Sequence, residues 1–462
     1  MSHHAEAYRS RLVSYEELVA GIQPGSSLLL GTWLGQPHGM MRALCRFGQH
    51  IDPLYISTSP ASAVGELLNQ PNVLCSSTFL GPHERAARRV RNNVFYTPLQ
   101  YTEACKALRT NRPPDYVIVR TAPPDDHGSF NLSLASSWAQ YAIPWFARHA
   151  PATHIVVEVN PHMPRVPGLE EFGNNRIPLS DVHVVVEDDT PPAEFITPEP
   201  TETDVAIAAN VTALVDDRAT IQLGIGSIPM VIGKLLRSRK NLGIHTEMFC
   251  QSHLDLIEAG SVTNDHKGVY DGVSVATFAL GEQRLYRWLA DNREFAMLPV
   301  EEVNAIPVLA RVENMTSINS VLSIDLSGQS CAHCLGSQTF SGVGGAFEFA
   351  YGSQFSPGGK SILCLPSRRT LRDGREVSNI VARHAEGARV TIPEHCVDWV
   401  VTEFGAVRLK FLNLEWRAAA LIRIAHPRYR DELTEQALAT GLRLSELSRH
   451  HAPPEHFFSS TD

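Results

Sequence analysis

Cysteine is scarce in this chain. Eight in 462 residues are too few for the disulfide framework of a small secreted domain, and they are expected to be reduced. A basic surplus is also missing. Lys and Arg number 40 against 49 Asp and Glu, a formal charge of −9, which argues against a nucleic-acid partner. No apolar run reaches the roughly 18 residues of a membrane helix, so no span is expected. The opening MSHHAEAYRSRL is polar and holds no apolar signal core. The expectation is a globular, cytoplasmic protein. It has ample interior to bury, with 43% hydrophobic residues over a length suited to two or three domains.

Short apolar runs followed by a Gly- or Pro-containing turn and a helical stretch recur along the chain. Examples are 26–30, 115–120 (DYVIVR), 154–159 (HIVVEV), 181–186 (DVHVVV), 220–223 and 361–365. They are continuously apolar and β-branched rather than alternating, as in strands buried on both faces. Alternation with helices predicts an α/β architecture with mostly parallel sheets. The acidic, proline-rich stretch DDTPPAEFITPEPTET (188–203) reads as a linker or an ordered crossover. Asp204 behind it is a plausible N-cap for a helix over 205–215. Domains are therefore expected at 1–190 and 204–462, joined by 191–203. The stretches 22–47 and 217–236 share one plan of strand, glycine turn, and proline at the helix start (Pro37, Pro229), which suggests two halves of common design.

Several motifs bear on chemistry. Gly224-Ile225-Gly226-Ser227-Ile228-Pro229 follows a strand and opens a helix. Its glycines allow close backbone approach to a ligand, although Pro229 stands where a dinucleotide fingerprint needs a third glycine. It reads either as a ligand turn or as a tight connection. Gly243-Ile244-His245-Thr246-Glu247-Met248-Phe249 places a carboxylate among apolar neighbours, where poor solvation makes it a better nucleophile or base. A capping or ion-pair role is the alternative. Ser341-Gly342-Val343-Gly344-Gly345 suggests converging backbone N–H groups for an oxyanion, or a crowded turn. Gly358-Gly359-Lys360 lacks P-loop spacing. Cys331-Ala332-His333-Cys334 has no second pair at zinc-finger spacing, so it is taken as a semi-buried strand–turn and no metal is expected. Arg85, Arg88, Arg89 and Arg91 read as a solvated helix face or a support for nucleotide phosphates.

Taken together, these residues resemble the acetyl-CoA hydrolase/transferase family, the group of 4-hydroxybutyrate, butyryl-CoA:acetate and succinyl-CoA:acetate CoA-transferases. The resemblance runs along nearly the whole chain. It passes through APPDDHG (122–128), EVNPHMP (158–164), GIGSIP (224–229), LGIHTEMF (242–249), SINS (317–320), IDLSGQ (324–329), SGVGG (341–345), GGK (358–360), VTEFG (401–405) and IAHPRYRDEL (424–433). It implies two related α/β domains of the NagB/RpiA-like CoA-transferase fold, sharing one active site. It also implies that Glu247 is the nucleophile, that Gly344 or Gly345 gives an oxyanion N–H, and that Gly224 and Gly226 lie against the thioester. Asn304 and Glu403 are implied as active-site polar residues, and Ala346 and Lys360 as substrate- or CoA-binding positions. Coenzyme A and acyl-CoA are co-substrates, with no permanently bound cofactor. Small carboxylic acids are the partners, and a homo-oligomer is expected.

The implied activity is acyl-CoA:carboxylate CoA transfer by ping-pong through a glutamyl-CoA thioester. Three departures from the family pattern bear on substrate: Ala346 after the GVGG, Cys250-Gln251-Ser252-His253 after the Glu247 segment, and Arg408 after VTEFG. Smaller bulk and an added cation suggest a dicarboxylate such as itaconate or succinate. Such a substrate would suit the subgroup that activates itaconate with succinyl-CoA; 4-hydroxybutyrate and acetate are the other candidates. An acyl-CoA hydrolase on the same scaffold and a non-catalytic acyl-CoA-binding protein are the rival readings.

Overall fold

The structure, a computed structural model, describes residues 3–58, 65–444 and 458–459. The chain groups into two compact units. One comprises Met1–Ile196, Thr246–Phe249 and Val273–Asn304; the other comprises Thr197–His245, Cys250–Gly272 and Ala305–Asp462. The first break, between Ile196 and Thr197, falls inside the expected linker 191–203, while the segment bearing Glu247 groups with the N-terminal unit and not with 204–462. Backbone bonding is the reason. Thr277 and Phe278 donate their N–H groups to the Glu247 carbonyl at 3.1 and 3.3 Å, and the segment they belong to is tied to the N-terminal part by Ala279 N–H on the Leu134 carbonyl at 2.8 Å and Ser137 N–H on the Thr277 carbonyl at 3.0 Å.

The first unit is built on a seven-stranded parallel sheet among the described residues. Its order is Val94–Tyr96, Val73–Ser77, Leu54–Thr58, Ser27–Leu30, Tyr116–Thr121, His154–Val159, Val184–Glu187. Leu28 and Leu30 pack on one face with Ile118, Val156 and Val186. Leu29 packs on the other with Val117, Val157 and Val185. Both faces are covered, so these strands read as unbroken apolar runs. Strand order reverses at Ser27–Leu30, and the segment leaving its carboxyl end, Gly31 to Gly35, lies where such sheets bind ligands. Gly31 has no room for a side chain there: a Cβ would meet the Gly35 carbonyl oxygen at 2.1 Å.

The carboxyl ends of this sheet also bury a charged lattice. Arg120, fully buried, bonds Asp188 Oδ2 at 3.2 Å and faces Glu158 Oε1 at 3.8 Å. Glu158 Oε2 accepts the Met40 N–H at 2.7 Å and the Tyr15 hydroxyl at 3.0 Å. Burial outweighs these partners and pushes the Glu158 carboxyl up to about 7.

In the second unit the strands Gly243–Ile244, Thr220–Leu223, Met315–Ser320, Lys360–Cys364 and Trp399–Thr402 run parallel. The antiparallel strands Gly405–Arg408 and Phe458–Ser459 extend the sheet. Its order reverses at Thr220–Leu223, and the Gly224–Gly226 turn leaves that strand as Gly31–Gly35 leaves its counterpart. Gly226 at φ 123°, ψ −178° occupies a conformation open essentially to glycine alone. Residues 188–201 carry no regular structure. The next helix is Glu202–Thr212, capped by Thr201 and not, as expected, by Asp204. Thr201 Oγ accepts the Asp204 N–H at 3.2 Å while the Asp204 carboxylate accepts that of Thr201 at 2.9 Å, a reciprocal capping box.

Candidate active site

Glu247 is half-buried just ahead of the short strand Met248–Phe249, which pairs in parallel with Phe278–Ala279. Its Oε2 accepts a hydrogen bond of 2.6 Å from Asn304 Nδ2. Only the amide NH2 can face an ionised carboxylate so closely, because a carboxylate has acceptors alone. Asn304 ends the short helix Val300–Asn304 and is fully buried. The structure thus brings together two of the expected site residues.

Ser137 clamps the backbone around both. Its N–H donates to the Thr277 carbonyl at 3.0 Å, and its own carbonyl accepts the Val300 N–H at 3.0 Å. It does so at φ 46°, a left-handed conformation that a non-glycine residue keeps only when its surroundings enforce it. Its Oγ lies 2.5 Å from the Tyr101 hydroxyl. Burial pushes the Tyr101 phenol well above its ordinary range, and the negative charge of Glu247 adds to the rise. Rings complete the surroundings. Phe278 stacks on Trp33 at 5.0 Å and meets the Tyr101 edge at 6.3 Å, and Trp33 lies 6.1 Å from Phe79. Sequence reading missed Tyr101, Ser137, Trp33, Phe79 and Phe278. Only the position of Trp33 between two glycines after an apolar run could have signalled one of them.

The other expected residues belong to the second unit. Gly344 sits at φ 53° and Gly345 caps the helix Ala346–Gly352, of which Ala346 is the first residue. Glu403 is held by Ser367, whose N–H and hydroxyl donate to it at 2.9 and 2.5 Å. Cys250 and His253 form a reciprocal cap on the helix Gln251–Glu258, and the Cys250 thiol donates to the Gly224 carbonyl at 3.7 Å. Burial pushes this thiol up to about 11 and His253 down to about 3, so the pair is a neutral brace for the GIG turn.

Two of the residues singled out above have acidic partners of their own. Lys360 opens its strand and binds Asp216 Oδ2 at 2.5 Å and the Leu214 carbonyl at 3.0 Å. It is an internal tie at the amino end of the sheet. Gly359 precedes it because a Cβ there would meet the Ser353 carbonyl oxygen at 2.0 Å, a packing demand. Arg408, read above as an added cation for substrate, bonds the buried Asp398 through its Nε at 2.8 Å. Arg88, Arg89 and Arg91 are exposed on or just beyond the helix Pro82–Val90.

Two doubly wound sheets, one in each unit, define an α/β fold class, and comparison with known proteins specifies the family. Family models for the acetyl-CoA hydrolase/transferase N-terminal and C-terminal domains match residues 1–197 and 281–437. The chain is 34% identical over 450 residues to a succinyl-CoA:cyclohexane-1-carboxylate CoA transferase of Geobacter metallireducens, covering 94% of this chain and 96% of the relative. It is 33% identical over 435 residues to a 4-hydroxybutyrate coenzyme A transferase of Clostridium kluyveri, covering 93% and 98%. The crystal structure of RipA from Yersinia pestis superposes with a TM-score of 0.85 at 33% identity, covering 96% of this chain and all of that one. The chain belongs to the acetyl-CoA hydrolase/transferase family and is a CoA-transferase. Among the described residues no helix is long and apolar enough to cross a membrane.

Proposed function

We propose that this CoA-transferase works by ping-pong through a glutamyl-CoA thioester on Glu247. One observation carries the reading: a half-buried carboxylate whose Oε2 is held at 2.6 Å by a fully buried amide, beside rings rather than open solvent. A carboxylate oxygen attacks the thioester carbonyl, and CoA leaves as thiolate to give a mixed anhydride. The thiolate then attacks the glutamyl carbonyl carbon and the donor acid departs as carboxylate. An acceptor carboxylate attacks glutamyl-CoA, CoA leaves again, and it returns to the acceptor's carbonyl, regenerating Glu247. Every covalent stage is an activated acyl group, so the transfer needs no outside energy source. Each attack generates an oxyanion, for which donors are worth about 3–4 kcal/mol. On the family resemblance we assign that role to Gly344 and Gly345, and contact with the thioester to Gly224 and Gly226.

We also assign the acyl partner. Trp33, Phe79 and Phe278 suit an apolar acyl body, and Arg408 is committed to Asp398. Both favour a monocarboxylate, such as the cyclic acid named for the Geobacter relative, over succinate or itaconate. The test incubates the protein with acyl-CoA and no acceptor, followed by intact-mass measurement and peptide mapping. A CoA-sized adduct at Glu247, absent in Glu247→Ala, is expected. Exchange surviving in Glu247→Ala would overturn the mechanism. Acceptor rates with acetate, 4-hydroxybutyrate, cyclohexane-1-carboxylate, succinate and itaconate test the acyl assignment separately, and faster transfer to the dicarboxylates would overturn it.

A further inference from the structure

The stretch Cys331-Ala332-His333-Cys334, set aside on spacing alone, folds into a compact cluster in the second unit. Its two sulfurs and an imidazole nitrogen all lie within 4.8 Å of one another, and all three residues are buried. A tetrahedral zinc with bonds of about 2.3 Å to sulfur needs its sulfurs about 3.8 Å apart, so closing onto a metal takes at most about an ångström of contraction. The backbone is suited to hold that shape. Cys331 pairs with Ser323, Cys334 pairs with Thr339 across a hairpin, and Gly336 turns that hairpin at φ 58°. Beside the ring stands a hydroxyl: Thr391 Oγ lies 2.5 Å from His333 Nδ1 and accepts the Ala332 N–H at 2.8 Å. Such an outer contact fixes the orientation of a ligating imidazole.

We propose that Cys331, His333 and Cys334 bind a zinc-like divalent cation. Charge favours this class. Two thiolates, a neutral imidazole and a dication sum to zero, the net charge a buried site tolerates. Binding releases the two thiol protons to solvent.

The consequence reaches the glycine loop. Phe340 and Ser341 donate their N–H groups to the His333 carbonyl at 2.7 and 3.3 Å, so the turn that would hold the metal anchors the start of Ser341–Gly345. The metal braces that loop and takes no part in bond making. This inference does not depend on the covalent role of Glu247.

The test uses the full chain, stripped with chelator, reduced and titrated with Zn2+, then in a second arm with Co2+. About one equivalent per chain is expected, with a thiolate-to-cobalt charge-transfer band. Zn2+ should slow alkylation of Cys331 and Cys334, read by peptide mass, while Cys45 stays unaffected. Thr391→Val should weaken binding about 10- to 100-fold. The double change Cys331→Ser with Cys334→Ser should abolish it. Should that variant not fold, protection of the two thiols in the unaltered protein decides. Equal alkylation with and without Zn2+, no cobalt band, or full metal content in a folded double variant would each overturn the proposal. So would a Cys331–Cys334 disulfide that, once reduced, takes up no metal.

Discussion

Asn304 gives the sharpest test of how Glu247 is activated. In the proposed sequence Glu247 Oε2, which accepts the 2.6 Å bond from Asn304, becomes the oxygen that carries charge when thiolate attacks the glutamyl carbon. A donor on a developing oxyanion is worth about 3–4 kcal/mol. The same bond also stabilises the resting carboxylate, where a charge-assisted hydrogen bond contributes about 1.5–3 kcal/mol. Only the difference accelerates the reaction. The central values differ by about 1.3 kcal/mol, so Asn304→Ala should lower kcat about tenfold, with little change in the acceptor KM.

Two readouts make this decisive. With donor acyl-CoA alone, the intact-mass adduct on Glu247 should build up more slowly by the factor seen in steady-state transfer. Asn304→Asp sets a second carboxylate against the first, and such a pair shares one proton. Its activity should survive at acid pH and fall as pH rises, opposite to a simple loss of donor. Asn304 is fully buried, so thermal unfolding must first show that each variant is folded. A folded Asn304→Ala that transfers CoA within about threefold of the parent refutes the assignment.

Two further outcomes follow from the surroundings. Burial raises the Glu158 carboxyl from 4.5 to about 7, so the fold favours its protonated form. The stability it contributes is complete below about 4.5 and is lost as pH rises through about 7. Unfolding midpoints of the parent protein should show that decline, and Glu158→Gln should remove it; an unchanged slope would show that Glu158 is not the group responsible. Arg408→Ala strips a partner from the buried Asp398. Arg408 is itself a third exposed, so the cost should be about 1–3 kcal/mol in denaturant unfolding. The ratio of succinate to acetate transfer should stay unchanged, and a selective loss of succinate would restore Arg408 to the substrate.

The parallel sheets were legible because burial on two faces leaves a plain trace in composition. Leu28, Leu29 and Leu30 feed two different cores, and no polar residue interrupts them. The glycine turns were legible for a similar reason, since Gly31 and Gly226 answer to a clash and to a dihedral angle that other residues cannot accept. The pairing of Arg408 with Asp398 was not legible, because it is reached across a strand pair in which Trp399 faces Arg408, and register is not written in spacing alone.

The placement of Glu247 shows where a catalytic motif stops being informative. The residues that fix it share no motif with it: Thr277 and Phe278 hold its carbonyl, Asn304 its carboxylate, and Ser137 the backbone behind both. Three of those four contacts to the first unit are made by main-chain groups, which any sequence supplies equally. What the sequence does encode is the strain that makes them specific. Ser137 keeps φ 46° although glycine would hold it more cheaply, and its hydroxyl is the atom that meets Tyr101 at 2.5 Å. A glycine there would relax the backbone and lose the hydroxyl, so the serine is explained by the contact it makes and not by the turn it occupies.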